Sequence, residues 1–462
     1  MKANTQRNIF WILLLAASFP RFAGAAPQSG DLSPKPAAAA SQQPATAADS
    51  TLRLTLDDAL VRARQNSPQF QGALAEAQIA HEDTKQAKDA LLPTITYNNE
   101  MLYTQGNGTG GARYIANNAV HEYISLGNVH EVLGVAGIYE VRRASAGAAL
   151  ARARAEIASR GLVVTVVQRY FGALAAQSKA NLAQTAANEG EQFLKLTQNL
   201  ERGGEVAHSD VIKAELQVRE RRRQLQEALL ALLNARLDLA VLLFPDFSDR
   251  FELADELHAS IPLPTLGEVQ QQASNENPDV RAALAALEQA KDEVGVERAA
   301  YLPSLNLDYF YGIDAAQFAT NSIVDNRSVP NLGSSAAASL NIPIWNWGAT
   351  QSRVKQAQIR RAQSARELSF AQRKLLAEIR SLYSEAETAL DELAGLQRSE
   401  DLAKESLKLT TLRYQGGEAT VLEVVDAQTT AALAGNGYED GAVRYRVALA
   451  NLQTLTGVMS TR

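Results

Sequence analysis

The chain is built on an internal duplication, and this limits what it can fold into more than any other feature of the sequence. Leu56-Asp57-Asp58-Ala59-Leu60, Ala63, Pro68 and Leu91-Leu92-Pro93-Thr94-Ile95 open one half. Leu266-Gly267-Glu268-Val269, Ala273, Pro278 and Tyr301-Leu302-Pro303-Ser304-Leu305 open the other. The offset is constant, since 278 − 68 and 303 − 93 both give 210. Further on, Gly203-Gly204-Glu205 with Asp210-Val211 matches Gly416-Gly417-Glu418 with Glu423-Val424. There 416 − 203 and 424 − 211 give 213, and Tyr170 to Tyr383 keeps that spacing. Three extra residues therefore lie between the two sets of anchors, and the 315–331 loop is the expected place. A repeat of this period is one structural unit used twice.

Each half reads helix, strand, loop, strand, long helix, tight turn, helix. Leu56, Leu60, Ala63, Phe70, Leu74, Ala77 and Ile79 recur at helical spacing. Pro68 predicts a kink or restart. Beyond Pro93 the period changes to two, with Ile95, Tyr97, Met101 and Tyr103 on one face and Thr94, Thr96, Asn98 and Glu100 on the other. Leu305, Leu307, Tyr309, Tyr311 and Ile313 oppose Ser304, Asn306 and Asp308, while Ala336, Ala338, Leu340 and Ile342 oppose Ser335, Ser339 and Asn341. Strands are expected near 94–103, 304–314 and 334–343, and the repeat places a fourth near 113–127. Strands of about ten residues cross a bilayer when tilted. Residues 142–200 and 349–414 contain no proline and span about 90 and 100 Å as helices. The helices at 56–91 and 208–243 are each about 54 Å long, so two of them end to end match one long helix.

Four strands cannot close a barrel, and an open sheet edge is not tolerated in lipid. The chain must pool its strands with other copies. A dimer would give eight strands and a trimer twelve, and the count alone does not choose between them.

Composition removes other classes. The 462 residues include no cysteine, which excludes disulfides, thiolate metal sites and a lipidated N-terminal cysteine. Lys+Arg 45 against Asp+Glu 51 gives −6, no footing for a nucleic-acid partner. A mean hydropathy of −0.19 excludes a polytopic helical membrane protein. Lys2 and Arg7, the apolar stretch from Ile9 to Ser18, and Ala23-Gly24-Ala25 read as an export signal over 1–25. Residues 26–50, with Pro27, Pro34, Pro36 and Pro44, read as a disordered leader. The first repeat is then 51–245, the connector 246–265 and the second repeat 266–458.

The paired openings, Leu91-Leu92-Pro93-Thr94-Ile95, Tyr301-Leu302-Pro303-Ser304-Leu305, and the run from Tyr414 through Gly416-Gly417-Glu418-Ala419-Thr420 to Asp426-Ala427-Gln428 resemble the TolC-like outer membrane efflux proteins. The resemblance covers essentially all of 50–458. It implies a mainly α fold with a membrane β-barrel portion. Four strands per chain would complete a 12-stranded trimeric barrel, continued by an α-helical periplasmic tunnel. It implies a homotrimer in the bacterial outer membrane, in contact with its lipid and acting without chemistry or cofactor. The partners implied are a periplasmic adaptor and an inner-membrane RND, ABC or MFS transporter, in efflux or type I secretion.

Carried over position by position, the resemblance makes Gly203, Gly204, Gly416 and Gly417 the adaptor-docking tips. Glu423 and Asp426 become a periplasmic acidic ring. Tyr414 and Asp210 become the gate, with Ala419 where the best-known relative has a linking arginine. Tyr139, Trp345 and Trp347 are the expected membrane-interface aromatics. The first half lacks the proline that precedes Trp345 in the second, where Pro343 stands.

Other motifs carry less. Gly106, Gly108 and Gly111 satisfy a dinucleotide pattern with Glu131 downstream, but the preceding strand alternates where a nucleotide-binding strand is continuously apolar. The histidines at 81, 121, 130, 208 and 258 form no zinc spacing. Arg219, Arg221, Arg222 and Arg223 lie among Glu215, Glu220 and Glu227 and read as a solvated face. The competing architecture is a periplasmic helical scaffold or adhesin-like structural protein, which has no use for strands of membrane length.

Overall fold

Each helix of the first turn-helix pair begins where the sequence supplies a cap. In the computed structural model, which describes residues 52–103, 121–246, 251–259, 261–324 and 326–457, Thr55 and Asp58 cap each other reciprocally. They open α1 (Leu56–Asn66), and Ser67 accepts from Phe70 N to open α2 (Pro68–Asp89). Pro68 therefore restarts the helix instead of bending it, at a first-turn position where its missing N–H costs nothing. The second half repeats the device. Thr265 and Glu268 box α5 (Leu266–Glu276), and Asn277 ahead of Pro278 opens α6 (Pro278–Ala299). Both pairs have 11 and 22 residues. The export signal over 1–25, the leader over 26–50 and the Gly106, Gly108, Gly111 motif lie outside the described residues.

Four short strands were not anticipated, two of them forming a pair at the connector. β1 (Leu52–Leu54) pairs in parallel with a strand inside the 246–265 connector, Phe251–Leu253. The long strands form one antiparallel sheet. It contains β2 (Thr94–Tyr103), β3 (His121–Leu133), then, after the connector strand β4, β5 (Ser304–Ala315) and β8 (Leu332–Asn341), in the order β2-β3-β5-β8. β3 extends to Leu133, beyond the expected 127, and residues 113–120 of that expectation are outside the described residues. Between β5 and β8, in the loop credited with three extra residues, β6 (Asn321–Val324) and β7 (Arg327–Pro330) form a small hairpin.

Register sorts the side chains. Ile95, Val129, Tyr309 and Ala336 share one face, and Thr94, His130, Asp308 and Ala337 share the other. The alternation of β3 is weak because His121, Ser125 and Glu131 fall on the apolar face. Ser125 is buried there, 2.7 Å from both the Tyr97 hydroxyl and Asn99 Oδ1. On the polar face His130 Nδ1 meets Asp308 Oδ1 at 2.7 Å.

Below the sheet run α3 (Val135–Arg202, 68 residues) and α7 (Ala349–Gln415, 67 residues), each about 100 Å long. α4 (His208–Leu243) and α8 (Val421–Thr456) have 36 residues each. α3 starts at Val135, seven residues before the expected 142, because nothing between Gly134 and Arg142 breaks a helix. Gly295 on α6 makes room for the Tyr139 ring, whose atoms would lie 2.3–2.7 Å from a Cβ there. Among the described residues no helix is long and apolar enough to cross a membrane.

The largest core lies around the connector, where Leu54, Val166, Tyr170, Phe171, Leu239, Leu243 and Phe251 are all buried. The Tyr170 hydroxyl donates to Leu54 O at 3.1 Å and Ala254 O at 2.9 Å, so it fastens β1 and β4 together. One face of α8 fastens the rest of the connector. Tyr445 donates to Ile261 O at 2.6 Å, Arg446 donates to Leu257 O at 3.0 Å and to Glu256 O, and His258 stacks on Tyr438 with Nε2 3.3 Å from Glu439 Oε2.

Burial raises the Glu439 carboxyl above the ordinary carboxylate range. His258 opposes the shift, and Glu400 and Asp255 add to it. A carboxyl raised by folding stabilises the fold fully below its unfolded value of 4.5, and the contribution is lost as pH rises through the folded value. Glu439→Gln removes that ionisation. Its melting temperature should fall less between pH 4.5 and pH 7.5 than that of the parent protein. Identical pH profiles for the two proteins would place the titration elsewhere.

Candidate functional site at the paired helical turns

The two long hairpins turn by the same local chemistry. At the end of α3, Gly204 N donates to Glu201 O at 2.8 Å and Glu205 N to Leu200 O at 2.9 Å. At the end of α7, Gly417 N donates to Tyr414 O at 3.1 Å and Glu418 N to Arg413 O at 2.9 Å. Both are Schellman closures, which place one residue in the left-handed region. Gly204 (φ 77°) and Gly417 (φ 75°) occupy it. Gly203 and Gly416 have φ of −78° and −83°, so backbone conformation requires glycine only at the second position of each pair.

The following helices start differently. Thr420 and Glu423 form a reciprocal box at the start of α8, whereas Ala207 offers α4 no side-chain cap. A single apolar cluster joins the two turns, with Phe193 and Ala214 packed on Tyr414, Val421 and Val424. The Phe193 and Tyr414 rings are 5.0 Å apart at 56°. Phe193 lies on α3 and Tyr414 on α7, so the first hairpin holds the second directly.

The structure places the expected gate and ring residues as follows. Tyr414 is buried, and its hydroxyl donates to Thr197 Oγ1 at 3.3 Å. Burial raises the Tyr414 hydroxyl, and the nearby Asp210 carboxylate adds to the rise, while the bond to Thr197 opposes it. Asp210 makes its ion pair with Lys213, at 3.2 Å, so Tyr414 and Asp210 are neighbours in charge without being bonded in one protomer. Glu423 Oε1 accepts from Thr420 N at 3.2 Å and from its hydroxyl at 3.1 Å, while Oε2 faces Arg413 Nη1 at 3.5 Å. Asp426, one helical turn on, is exposed and has no such partner among the described residues.

His208 Nδ1 meets Glu201 Oε1 at 2.6 Å across the first turn. No group of His, Asp and Glu side chains is arranged to hold a metal among the described residues. Sequence reasoning did not single out Phe193, Thr197 or Arg413. The repeat counterpart of Arg413 is Leu200, so the duplication gave no signal for it.

At the junction of sheet and helices, Trp345 and Trp347 are 75% and 90% exposed and meet edge to face at 6.0 Å. Tyr139 is half-buried against α6, with Arg142 over its ring at 5.7 Å.

An amphipathic sheet with two unpaired edges, set on helical hairpins about 100 Å long, defines a class of protein. It is a protomer with an open four-stranded sheet continued by a long helical body. Residues 269–458 match the family described as outer membrane efflux protein. The chain is 23% identical over 424 residues to the alkaline protease secretion protein AprF of Pseudomonas aeruginosa, covering 88% of this chain and 85% of that one. It is 23% identical over 414 residues to the outer membrane protein TolC of Escherichia coli, covering 86% and 81%. Its fold superimposes on the outer membrane channel CmeC of Campylobacter jejuni with a TM-score of 0.75, at 17% identity, covering 87% and 85%. The second half matches the family model, and the chain as a whole is similar to the TolC-like outer membrane proteins. Those relatives are named as a secretion protein and an outer membrane protein, and the solved structure as an outer membrane channel.

Proposed function

We propose that three copies of this chain form the duct through which an inner-membrane RND, ABC or MFS transporter and its periplasmic adaptor send substrate out of the cell, in efflux or type I secretion. The observation that carries the proposal is the sheet. β2 and β8 are its two edges, and they run in opposite directions because each of the three pairings between them is antiparallel. β8 of one copy can therefore pair with β2 of the next and keep the alternation around a closed ring. Ten residues give about 33 Å of strand, and a tilt of about 40° reduces this to the roughly 25 Å apolar band of an outer-membrane barrel.

In this reading the turns at Gly203-Gly204 and Gly416-Gly417 meet the adaptor. The carboxylates of Glu423 and Asp426 line the entrance, and Tyr414 with Asp210 forms the gate. Opening requires the α7–α8 turn to leave α3, which separates Tyr414 from Phe193 and Thr197. The native mass of the detergent-extracted outer-membrane protein tests the assembly. Three copies per particle are expected, and a monomer recovered in the soluble periplasmic fraction would overturn the duct.

A further inference from the structure

We propose that Arg413 sets the charge of the entrance, cancelling Glu423 so that Asp426 is the acid on that face of α8 left to act on passing ions. The inference rests on the entrance reading above and deepens it. Glu423 and Asp426 lie three residues apart at the start of α8, hence on one face. Their surroundings differ. Glu423 has one carboxylate oxygen committed to Thr420 and the other facing Arg413 at 3.5 Å.

Arg413 is in turn held in place, because its second terminal nitrogen donates to Glu418 O at 3.0 Å, across the turn. All three partners belong to one protomer, so the compensation exists before assembly and does not depend on a neighbouring copy. In the first hairpin Asp210 is compensated in the same manner by Lys213. Glu205 and Glu418 sit on the turns themselves, off the face of α8 that carries Glu423 and Asp426. Each chain thus presents one net carboxylate on that face instead of two, and a threefold entrance presents three instead of six. The duct is then less cation-selective than its acidic residues suggest, and Arg413 is the residue that tunes it.

The test is the cation-over-anion permeability ratio of trimers reconstituted in planar bilayers, read from reversal potentials in a potassium chloride gradient. Arg413→Gln leaves Glu423 uncompensated and is expected to raise the ratio roughly three- to tenfold, the effect of three unit charges restored at the entrance and partly screened by salt. Asp426→Asn is expected to lower the ratio towards unity. Arg413→Gln combined with Glu423→Gln restores the parent balance and should restore the parent ratio.

An unchanged ratio in Arg413→Gln, with a lowered ratio in Asp426→Asn, would overturn the role of Arg413 and keep the entrance. No change in Asp426→Asn, Glu423→Gln or Arg413→Gln would remove these residues from the conducting path altogether. Native mass confirms in each variant that the trimer is intact, so a lost signal is not read as lost selectivity.

Discussion

Truncating Phe193 to alanine is expected to raise the resting conductance of the closed duct more than any single polar change at the gate. Phe193 is 4% exposed and packs against Tyr414 in the cluster that joins the two turns. Removing a buried phenylalanine costs about 3–5 kcal/mol, and an aromatic pair adds about 0.5–1.5 kcal/mol beyond its buried area. Tyr414→Phe, by contrast, deletes only the bond to Thr197, and a hydrogen bond of this kind contributes about 1 kcal/mol.

A loss of about 3 kcal/mol shifts a two-state closed–open equilibrium by about two powers of ten, and a loss of about 1 kcal/mol by less than one. Single-channel recording should therefore show frequent openings in Phe193→Ala and few in Tyr414→Phe. The reverse order would mean that the hydroxyl bond, not the apolar contact, holds the turns together. Burial and Asp210 both raise the Tyr414 hydroxyl, so it remains a donor at neutral pH and the comparison needs no pH correction.

How far the fold was legible in the sequence depended on the range of the interaction that made each part. Helix starts are decided by a few neighbouring residues. Thr55 with Asp58, Ser67 with Pro68, and Asn277 with Pro278 mark theirs in the sequence itself. The long strands were legible from period two wherever one face was uniformly apolar. β3 was harder, because Ser125 lies on the apolar face and is tolerated there only through Tyr97 and Asn99 of the neighbouring strand. The β1–β4 pair is three residues long and joins segments about two hundred residues apart, so no periodicity announces it.

The candidate site divides in the same way. The two glycine turns are local and could be placed by the repeat. The residues that close the turns against each other, Phe193 and Thr197 on α3 and Tyr414 on α7, meet only through tertiary packing. Arg413 reaches Glu423 from the end of one helix to the start of the next, a contact that the period of neither helix announces.

The largest effect on assembly is expected from two adjacent substitutions in β8 with opposite outcomes. Ala336 lies opposite Tyr309 on the apolar face, and Ala337 lies opposite Asp308 on the polar face. If the apolar face meets lipid, arginine at 336 places a charge near the middle of the bilayer at about 2–4 kcal/mol per chain, or roughly 6–12 kcal/mol for a trimer. Arginine at 337 instead enters a water-filled lumen, beside a carboxylate that can pair with it. Ala336→Arg should therefore abolish the heat-modifiable trimer on semi-native gels, while Ala337→Arg should leave it at the parent level. The two variants carry the same charge, size and strand propensity at neighbouring positions, so the contrast isolates the face. Equal loss in both would mean that the strand tolerates no large residue there, and equal survival would mean that neither face is in lipid. A barrel turned inside out, with Ala337 towards lipid, would exchange the two results.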